Sequence, residues 1–485
     1  MKQFPTTIKS IKEGLLSGDF TSQDLVSNLI EYIEETEAKI NAFISIDADK
    51  AMQDAQAADQ RGYQDSTKLL NGVPIAIKDN ILTKDFKTTA ASKMLEDFVP
   101  VFDATVVTKL KEAGAVIIGK LNLDEFAMGG STETSYFGTT HNPWNLNCVP
   151  GGSSGGSGAA VASRQIPAAL GTDTGGSIRC PAANNGIVGM KPTYGTVSRY
   201  GAIAFASSLD QVGPMTLNVE DNALLLQVIA GHDENDSTSL KDIDTDYSKY
   251  IGQSIEGLRI AFPKEYKSDI IQAEIRQAME EAAAFFESQG AIVEEVSLPH
   301  SKYGINTYYV IASAEAASNL QRFDGIRYGY RSPEASNLDE IYVKSRSEGF
   351  GSEVKRRIMV GTYSLSSGAY DKFFKKAAQV RTLIKQEFEQ VLSDYDLIMG
   401  PTTTSTAFEI GTRTKDPIQM YYSDLLTVPV NLAGIPSISI PAGFDHKNLP
   451  IGLQLMAKPL EEARIYQVAY KYEQHHDFVS KSPSF

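Results

Sequence analysis

The chain has 485 residues, of which 42% are hydrophobic and 22% charged, with a formal net charge of −15 and two cysteines. This composition excludes a disordered or disulfide-stapled protein, and the acidic charge disfavours direct binding of a nucleic-acid backbone, which needs lysine and arginine. The sequence contains no apolar run long enough to span a membrane, no leader pattern and no Cys/His metal motif, so we expect a soluble, cytoplasmic protein without a metal site.

The first half of the chain alternates helix and strand signals. Residues 1–65 are predicted to be mainly helical, and Thr21 and Asp24 have the spacing of a helix capping box. The run "GVPIAIKDN" predicts a buried strand that ends near Lys78, and "ATVVTKLKEAGAVIIGK" predicts a helix, a glycine stop and a second strand. This alternation indicates an α/β fold.

A polar, acidic segment at residues 230–255 separates the two halves, and we interpret it as a surface connection that leads into an inserted or second subregion. After it, strands are predicted at "LRIAFP", "DLIMGPTTT", "SISIPAG" and "IGLQLMA". Helices are predicted within "AEIRQAMEEAAAFFESQG" and over residues 370–393 and 461–474. We predict one domain over residues 1–485, with the chemical motifs in residues 70–200 and closing strands and helices in residues 395–475.

Every Gly-Gly-Ser of the chain lies between residues 129 and 177, in four copies. A flexible linker would have polar flanks, but small apolar residues adjoin this run on both sides. A phosphate-binding loop would place a lysine directly after its last glycine, and none of the four copies does so. Two interpretations stay open at this point: glycines that let two chain segments pack closely, and an active site.

The last copy, in "TDTGGSI", favours an active site. A glycine turn there would present Ser177 and would point the backbone N–H groups of Thr174, Gly175, Gly176 and Ser177 one way, which is an arrangement that stabilises an oxyanion. A serine nucleophile needs a base to take its proton. Of the six histidines, only His141 is near the run, and its setting is typical of a turn.

Lys78 is the remaining candidate base. It follows the apolar "PIAI", so burial would lower its pKa from about 10.4 toward neutrality, as a general base at neutral pH requires. Adjacent side chains of a strand point to opposite faces, so Asp79 need not share the site. The competing interpretation is a strand-end lysine in a salt bridge, and the residues alone leave both open.

The chain resembles the amidase signature family in three motifs, "GVPIAIKDN", "PGGSSGGSGAAVA" and "GTDTGGSIRCPA". The resemblance implies a central mixed β-sheet flanked by helices on both faces, with two serines and a lysine as the catalytic set. By motif, Ser177 resembles the acyl-forming nucleophile, Ser153 the bridging serine that follows a cis peptide bond, and Lys78 the base. Ser154 would support this set by hydrogen bonding, and no cofactor is implied in this chain.

Further segments, among them "KLNLDEFAMGGSTETSYFG" and "DLLTVPVNLAGIPSISIPAG", are similar to the glutamine-hydrolysing subunits of tRNA-dependent amidotransferases within this family. That similarity implies glutamine as the substrate and a heterotrimer with B and C subunits. Ammonia would pass through a tunnel to the B subunit, which uses ATP and Mg²⁺ on Glu-tRNA(Gln). An acidic chain fits this division, because the tRNA would be held mainly by the B subunit.

Recognition of free glutamine needs a cation for its carboxylate and an anion for its ammonium group. By resemblance these are Arg357, in "EVKRRI", and Asp424, in "YYSDLL", with Arg356 as the register alternative to Arg357. The competing interpretation of each is a surface ion pair. The other residues expected to line the substrate pocket are Tyr308, Met128, Gly129 and Ser131.

Two other functions remain as alternatives. A free-standing amidase for small aliphatic or aromatic amides would share the lysine and both serines, but it would need neither partner subunits nor a charged pair for the two ends of glutamine. A scaffold without catalysis is disfavoured, because a scaffold needs no strained serine loop beside a buried lysine. Cys180 lacks the glycine-flanked setting of a nucleophile, so we interpret it as a packed neighbour of the site.

Overall fold

The computed structural model describes residues 4–414 and 417–485. Within these ranges the strands are β1 Phe43–Ile46, β2 Pro74–Lys78, β3 Val116–Leu121, β4 Ala168–Asp173, β5 Val188–Lys191, β6 Gln211–Thr216, β7 Arg259–Pro263, β8 Ile292–Val296, β9 Leu397–Pro401, β10 Ser437–Phe444 and β11 Pro450–Ala457. They form one sheet in the order β1-β3-β2-β4-β6-β5-β10-β11-β9-β7-β8. Strand β2 runs parallel to β3 and β4, and β7 runs parallel to β8 and β9, whereas the other pairs are antiparallel.

Helices occupy the connections between these strands. In the same described ranges the α-helices are α1 Ile8–Ser17, α2 Ser22–Ile40, α3 Ala48–Arg61, α4 Thr105–Glu112, α5 Gly155–Ala162, α6 Arg179–Asn185, α7 Val219–Ile229, α8 Ala273–Ser288, α9 Gly304–Asn319, α10 Leu338–Gly349, α11 Ser352–Leu365, α12 Phe374–Asp394, α13 Pro417–Tyr421, α14 Val428–Ala433 and α15 Glu462–Glu473. Short 3₁₀ segments include Glu125–Ala127 and Tyr422–Asp424. Over the residues that the structure describes, no helix combines the length and apolar character needed to cross a membrane.

Alternating side chains along the strands build a hydrophobic core on each face of the sheet. Ile75 and Ile77 of β2 pack in one buried cluster, whereas Ala76 between them packs in another. Helices α7 and α8 contribute to the first cluster, and α3 and α5 contribute to the second. The predicted α/β class, with a mixed sheet covered by helices on both faces, is therefore confirmed.

The glycine-serine run is only partly a set of turns. The stretch that follows Ser154 forms α5, although glycine is a poor helix former. A Cβ atom at Gly156 would lie 2.5 Å from the backbone oxygen of Asn122, so the glycines are needed for close packing, and tertiary contacts stabilise the helix. The close-packing interpretation therefore applies to α5, whereas the active-site interpretation of the rest of the run stays a prediction.

The polar segment at residues 230–255 holds no helix or strand, in a part of the chain that is described throughout. Its acidic residues nonetheless bind the body of the protein: Asp233 accepts a hydrogen bond from Ser198 Oγ at 2.6 Å, and Asp236 accepts one from the backbone N–H of Arg199 at 2.9 Å. The strands that follow the segment, β7 and β8, extend the same sheet. The segment is therefore an ordered connection between two parts of one sheet.

Candidate active site

Lys78 is the last residue of β2, a strand whose five residues are all buried. Its Nζ atom lies 2.8 Å from each of three hydroxyl oxygens, those of Ser153, Ser154 and Thr172, and it also donates to the backbone oxygen of Thr172 at 3.3 Å. The side chain is fully buried and pairs with no carboxylate among these contacts. The salt-bridge interpretation of Lys78 is therefore wrong for the described residues.

Burial lowers the pKa of Lys78 to about 7, while the nearby carboxylates of Asp124, Asp173 and Asp210 oppose this by stabilising the charged form. Asp79, the next residue, forms a separate buried ion pair with Lys120 at 3.2 Å. Asp79 thus has its own partners and is not among the contacts of Lys78, in agreement with the expectation that it need not share the site. A lysine in this state is half uncharged at neutral pH, and an uncharged amine can accept a proton.

The loop that carries Ser153 and Ser154 is held tightly against its neighbours. The peptide bond between Gly152 and Ser153 is cis, as the family resemblance implied. A Cβ atom at Gly152 would lie 2.1 Å from an oxygen of Asp124, so only glycine fits there. The backbone N–H of Ser154 donates to the backbone oxygen of Ser177 at 3.1 Å, which ties this loop to the turn of the predicted nucleophile.

A buried ion pair shapes the turn around Ser177. Arg179 donates through Nε to Asp173 at 3.0 Å, and Asp173 also accepts the backbone N–H groups of Gly176 at 2.9 Å and Ile178 at 3.2 Å. Burial alone would raise the pKa of Asp173, but Arg179 holds it at about 2, so the carboxylate stays charged. Ser177 itself retains 8% exposure at this turn, whereas Ser153 and Ser154 have none.

The predicted oxyanion donors have different partners in this turn. The Gly176 N–H is already bonded to Asp173, and the Thr174 hydroxyl donates to Asp210 at 2.7 Å. The backbone oxygen of Gly175 accepts the Thr427 hydroxyl at 2.7 Å, which fixes the direction of the next peptide. An oxyanion role stays a prediction for the N–H groups of Thr174, Gly175 and Ser177, whereas the N–H of Gly176 is taken by Asp173.

Tyr308, on α9, packs directly on the turn. A Cβ atom at Gly175 would lie 2.7 Å from the Tyr308 ring. The phenol ring therefore packs against Gly175 at a distance that leaves no room for a side chain there. Tyr308 is buried. The structure thus brings Tyr308 to the nucleophile turn, as a wall of the site.

A cavity of about 360 Å³ is lined by residues that include Gly129, Gly130, Ser131, Glu353, Arg356, Arg357 and Tyr421. Its wall adjoins the loop of Ser153, because a Cβ atom on Gly152 would lie 2.5 Å from the backbone nitrogen of Ser131. Arg357 is the buried arginine of the two, with 4% exposure of its side chain against 46% for Arg356. Its Nε donates to Glu353 at 2.8 Å, and its guanidinium lies 5.0 Å from the ring centre of Tyr309. The cavity therefore has one fixed, buried cation on its wall.

Asp424 lies between this cavity and the nucleophile turn. Its Oδ1 is 3.9 Å from the position of a Cβ on Gly130 and 3.8 Å from Cys180 Sγ. Burial raises the pKa of Asp424 to about 7, and the positive charge of Arg357 opposes that increase. Burial also raises the pKa of the Cys180 thiol, which fits a packed neighbour and not a nucleophile.

The remaining predicted pocket residues belong to one loop after β3. The backbone N–H of Ser131 donates to Asp124 at 3.2 Å, and a Cβ atom on Gly129 would lie 2.3 Å from Asp124 Cγ. Met128 is fully buried in the hydrophobic core, so its side chain supports the loop from behind. Contact of these residues with substrate stays a prediction.

Three buried polar residues at the site were not predicted. Thr172 contacts Lys78 and accepts a hydrogen bond from Asn80, and the position of Thr172 beside Lys78 depends on the β2–β4 register, which periodicity does not give. Glu125 lines the cavity and accepts the Gly351 N–H at 2.9 Å, and burial raises its pKa to about 7. Their sequence signal is their position inside the motifs already quoted: Asn80 ends "GVPIAIKDN", Thr172 lies in "GTDTGGSIRCPA" and Glu125 lies in "KLNLDEFAMGGSTETSYFG".

A buried lysine in contact with serine hydroxyls, with no histidine among these contacts, is an arrangement expected of serine hydrolases that use lysine as the base. In agreement with this class, the Amidase family model matches residues 24–466, and the chain belongs to that family. The A subunit of glutamyl-tRNA(Gln) amidotransferase from Enterococcus faecalis is 57% identical to it over 482 residues, which cover 99% of this chain and 98% of the relative.

Two solved structures extend the comparison. The crystal structure of the glutamyl-tRNA(Gln) amidotransferase A subunit from Thermotoga maritima has a TM-score of 0.80 and 43% identity, covering 96% of this chain and 94% of that one. The peptide amidase of Stenotrophomonas maltophilia has a TM-score of 0.84 and 28% identity, with both chains covered completely. The fold is thus shared with an amidotransferase A subunit and with a peptide amidase, and the identity is higher to the former.

Proposed function

We propose that the chain is the glutamine-hydrolysing A subunit of a glutamyl-tRNA(Gln) amidotransferase. The observation that carries the proposal is the full-length identity of 57% to such a subunit, in a chain whose buried Lys78 contacts Ser153 at 2.8 Å. The proposal also accounts for a buried arginine on a cavity wall, which an amidase for simple amides does not need.

In the proposed reaction, uncharged Lys78 takes the proton of Ser153, and Ser153 takes the proton of Ser177. The Ser177 oxygen then forms a bond to the side-chain amide carbon of glutamine, and the N–H groups of Gly175 and Ser177 stabilise the oxyanion. The proton returns through Ser153 to the leaving nitrogen, so ammonia departs and a glutamyl-enzyme ester remains. Water, activated by the same serine and lysine, hydrolyses the ester to glutamate.

Recognition of glutamine rests on its two charged ends. Arg357 binds the carboxylate, and its bond to Glu353 leaves the terminal nitrogens of the guanidinium for the substrate. Asp424 binds the ammonium group, since it lies beside both the cavity and the turn of Ser177. Arg356 is exposed at the rim, so it would steer the carboxylate and not hold it.

The ammonia serves a second active site in this proposal. It passes through a tunnel to the B subunit, where ATP and Mg²⁺ activate the glutamate of Glu-tRNA(Gln), and a small C subunit completes the heterotrimer. The net charge of −15 supports this division, because a chain that gripped the tRNA itself would need a basic surface. This chain supplies the ammonia, and its partner holds the nucleic acid.

The proposal is tested by substrate choice and partner dependence. Ammonia release is measured from glutamine and from a small aliphatic amide, with the chain alone and co-purified with its B and C partners, and with Lys78→Ala as the blank. We expect release from glutamine that increases when the partners and Glu-tRNA(Gln) are present. Release from the simple amide only, with no effect of the partners, would contradict the proposal and favour a free-standing amidase.

A further inference from the structure

Three hydroxyl oxygens surround the amine of Lys78 at the same distance of 2.8 Å, and they belong to Ser153, Ser154 and Thr172. All three side chains are buried, so no bulk water competes for the amine. A lysine ammonium has three N–H donors. The site therefore offers one hydroxyl acceptor for each N–H of the charged form, although the burial of Lys78 favours the uncharged form.

The hydrogen bonds of these hydroxyls fix which atoms face the amine. The Ser154 hydroxyl donates its proton to the backbone oxygen of Thr172 at 3.1 Å, so it faces Lys78 with a lone pair. Thr172 Oγ1 accepts a hydrogen bond from Asn80 Nδ2 at 3.0 Å, which holds the hydroxyl in place beside the amine. Two acceptors are thus prearranged before any proton moves.

We propose that Thr172, held by Asn80, is a positioning residue that directs the lone pair of Lys78 at Ser153 and then stabilises the ammonium that forms. This inference rests on the proposed catalytic roles of Lys78 and Ser153. Uncharged Lys78 has two N–H groups, which Ser154 and Thr172 accept, so its lone pair faces Ser153. When the O–H bond of Ser153 breaks and a new N–H bond forms, the third N–H is donated back to Ser153.

The charged groups around Lys78 are already committed to other partners. Asp173 binds Arg179, Asp210 accepts the Thr174 hydroxyl, and Asp124 accepts the backbone N–H groups of residues 131 and 132. Asp79 and Lys120 pair with each other. These carboxylates affect Lys78 through space, whereas the three hydroxyls touch it. A change at Thr172 should therefore alter the basicity of Lys78 without freeing an acid.

The test follows the rate at which a fluorophosphonate labels Ser177, as a function of pH, in the purified chain. This readout needs neither glutamine nor partner subunits, so it is independent of the proposed glutaminase activity. For the native chain the rate should rise with pH through a midpoint that reports Lys78. In Thr172→Val the ammonium loses one acceptor, so the midpoint should fall by roughly one pH unit and the plateau by about tenfold.

Thr172→Ser keeps the hydroxyl and should restore the native midpoint. A Thr172→Val midpoint that is unchanged or higher would overturn the inference, because a merely structural role lowers the plateau only. If thermal unfolding shows that Thr172→Val is not folded, Asn80→Ala replaces it in the test. Asn80→Ala should lower the midpoint of the labelling rate by a smaller amount than Thr172→Val, and an unshifted midpoint would overturn the inference. If the midpoints of labelling shift as expected but the chain releases no ammonia from glutamine, the result contradicts the proposed function and leaves the role of Thr172 supported.

Discussion

At the scale of single residues, burial gives Lys78 its chemistry. Removal from water lowers the pKa of the amine to about 7, which a general base at neutral pH requires. Burial would also leave the amine unsatisfied, but the hydroxyls of Ser153, Ser154 and Thr172 accept its hydrogen bonds. The site therefore holds a lysine that is partly uncharged at neutral pH and whose amine has a hydroxyl partner for each N–H of the charged form.

The first residue-scale prediction concerns the pH dependence of acylation. Lys78 must be uncharged to accept a proton, so the rate of acyl-enzyme formation at saturating glutamine should fall by about tenfold per pH unit as pH drops below the pKa of about 7 and should level off above it. Single-turnover kinetics measure this rate. Lys78→Ala should be slow at every pH, and a native profile that is flat across neutrality would contradict the role of Lys78.

The second concerns the carboxylate of glutamine. Arg357→Ala should raise KM for glutamine by at least tenfold, which corresponds to a lost interaction of about 1.4 kcal/mol, because the cavity loses its buried cation. Arg356→Ala is the matched control, since its exposed side chain should change KM by less than about twofold. Steady-state kinetics of ammonia release measure both. A larger effect of Arg356→Ala would move the carboxylate role to that residue.

The third concerns the ammonium group of glutamine. Asp424 must be ionised to bind it, and burial raises the pKa of this carboxyl to about 7. KM for glutamine should therefore increase as pH falls below neutrality, since more of the protein then carries a protonated Asp424. In Asp424→Asn, KM should be high and independent of pH. A native KM that stays constant from neutral to mildly acidic pH is incompatible with this role.

Sequence reasoning predicted some of these residues and missed others for identifiable reasons. The apolar run made Lys78 a candidate base, but the run alone did not decide against a salt bridge, and the family resemblance carried the prediction. Thr172 and Asn80 were not predicted, because the contact of Thr172 with Lys78, and of Asn80 with Thr172, depends on how β2 and β4 pair. The Gly176 N–H was expected to face an oxyanion, but the bond to Asp173 depends on the ion pair with Arg179.

At the scale of elements, the parallel strands β2, β3 and β4 bring the site together. Their carboxyl ends meet at one edge of the sheet, where β2 ends at Lys78, and β4 ends at Asp173 before the turn of Ser177. The loop after β3 supplies Asp124 and one wall of the cavity. The segments that follow β2, β3 and β4 are far apart in sequence. They meet at one edge of the sheet because the three strands run parallel.

Helix α5 gives an element-scale prediction. Gly156→Ala should destabilise the protein by about 1–3 kcal/mol, because the added Cβ would lie 2.5 Å from the backbone oxygen of Asn122 and 2.6 Å from that of Ala42. Gly368→Ala is the matched control, since nothing lies within 4 Å of its Cβ position and its effect should stay within about 0.5 kcal/mol. Denaturant unfolding measures both. Equal stability of the two variants would contradict the close packing of α5.

The elements that sequence patterns predict are those with strong periodicity. Helix α2, capped by Thr21, and strands such as β7 and β11 are present as predicted. Strands β5 and β6 were not predicted, because "VGMK" and "QVGPMT" contain glycine and proline, which argue against a central strand. They lie in the middle of the sheet nonetheless, since Pro214 sits opposite Leu170 in an antiparallel ladder that tertiary packing stabilises.

At the scale of the whole molecule, composition and resemblance answer different questions. The net charge of −15 predicts that tRNA is not held by this chain, but it says nothing about which partner holds it. One sheet contains strands from both halves of the chain, so the polar segment at residues 230–255 connects two parts of the same sheet. The order of strands cannot be deduced from periodicity, because distant segments pair, such as β5 with β10.

The central claim is that this chain produces ammonia for a partner's reaction through Ser177. The most direct measurement is Gln-tRNA(Gln) formation by the reconstituted B and C complex, carrying either the native chain or Ser177→Ala, with glutamine or ammonium chloride as the nitrogen source. We predict that Ser177→Ala abolishes the glutamine-dependent reaction and leaves the ammonium-dependent reaction intact. Formation of Gln-tRNA(Gln) from glutamine by the Ser177→Ala complex would contradict the account.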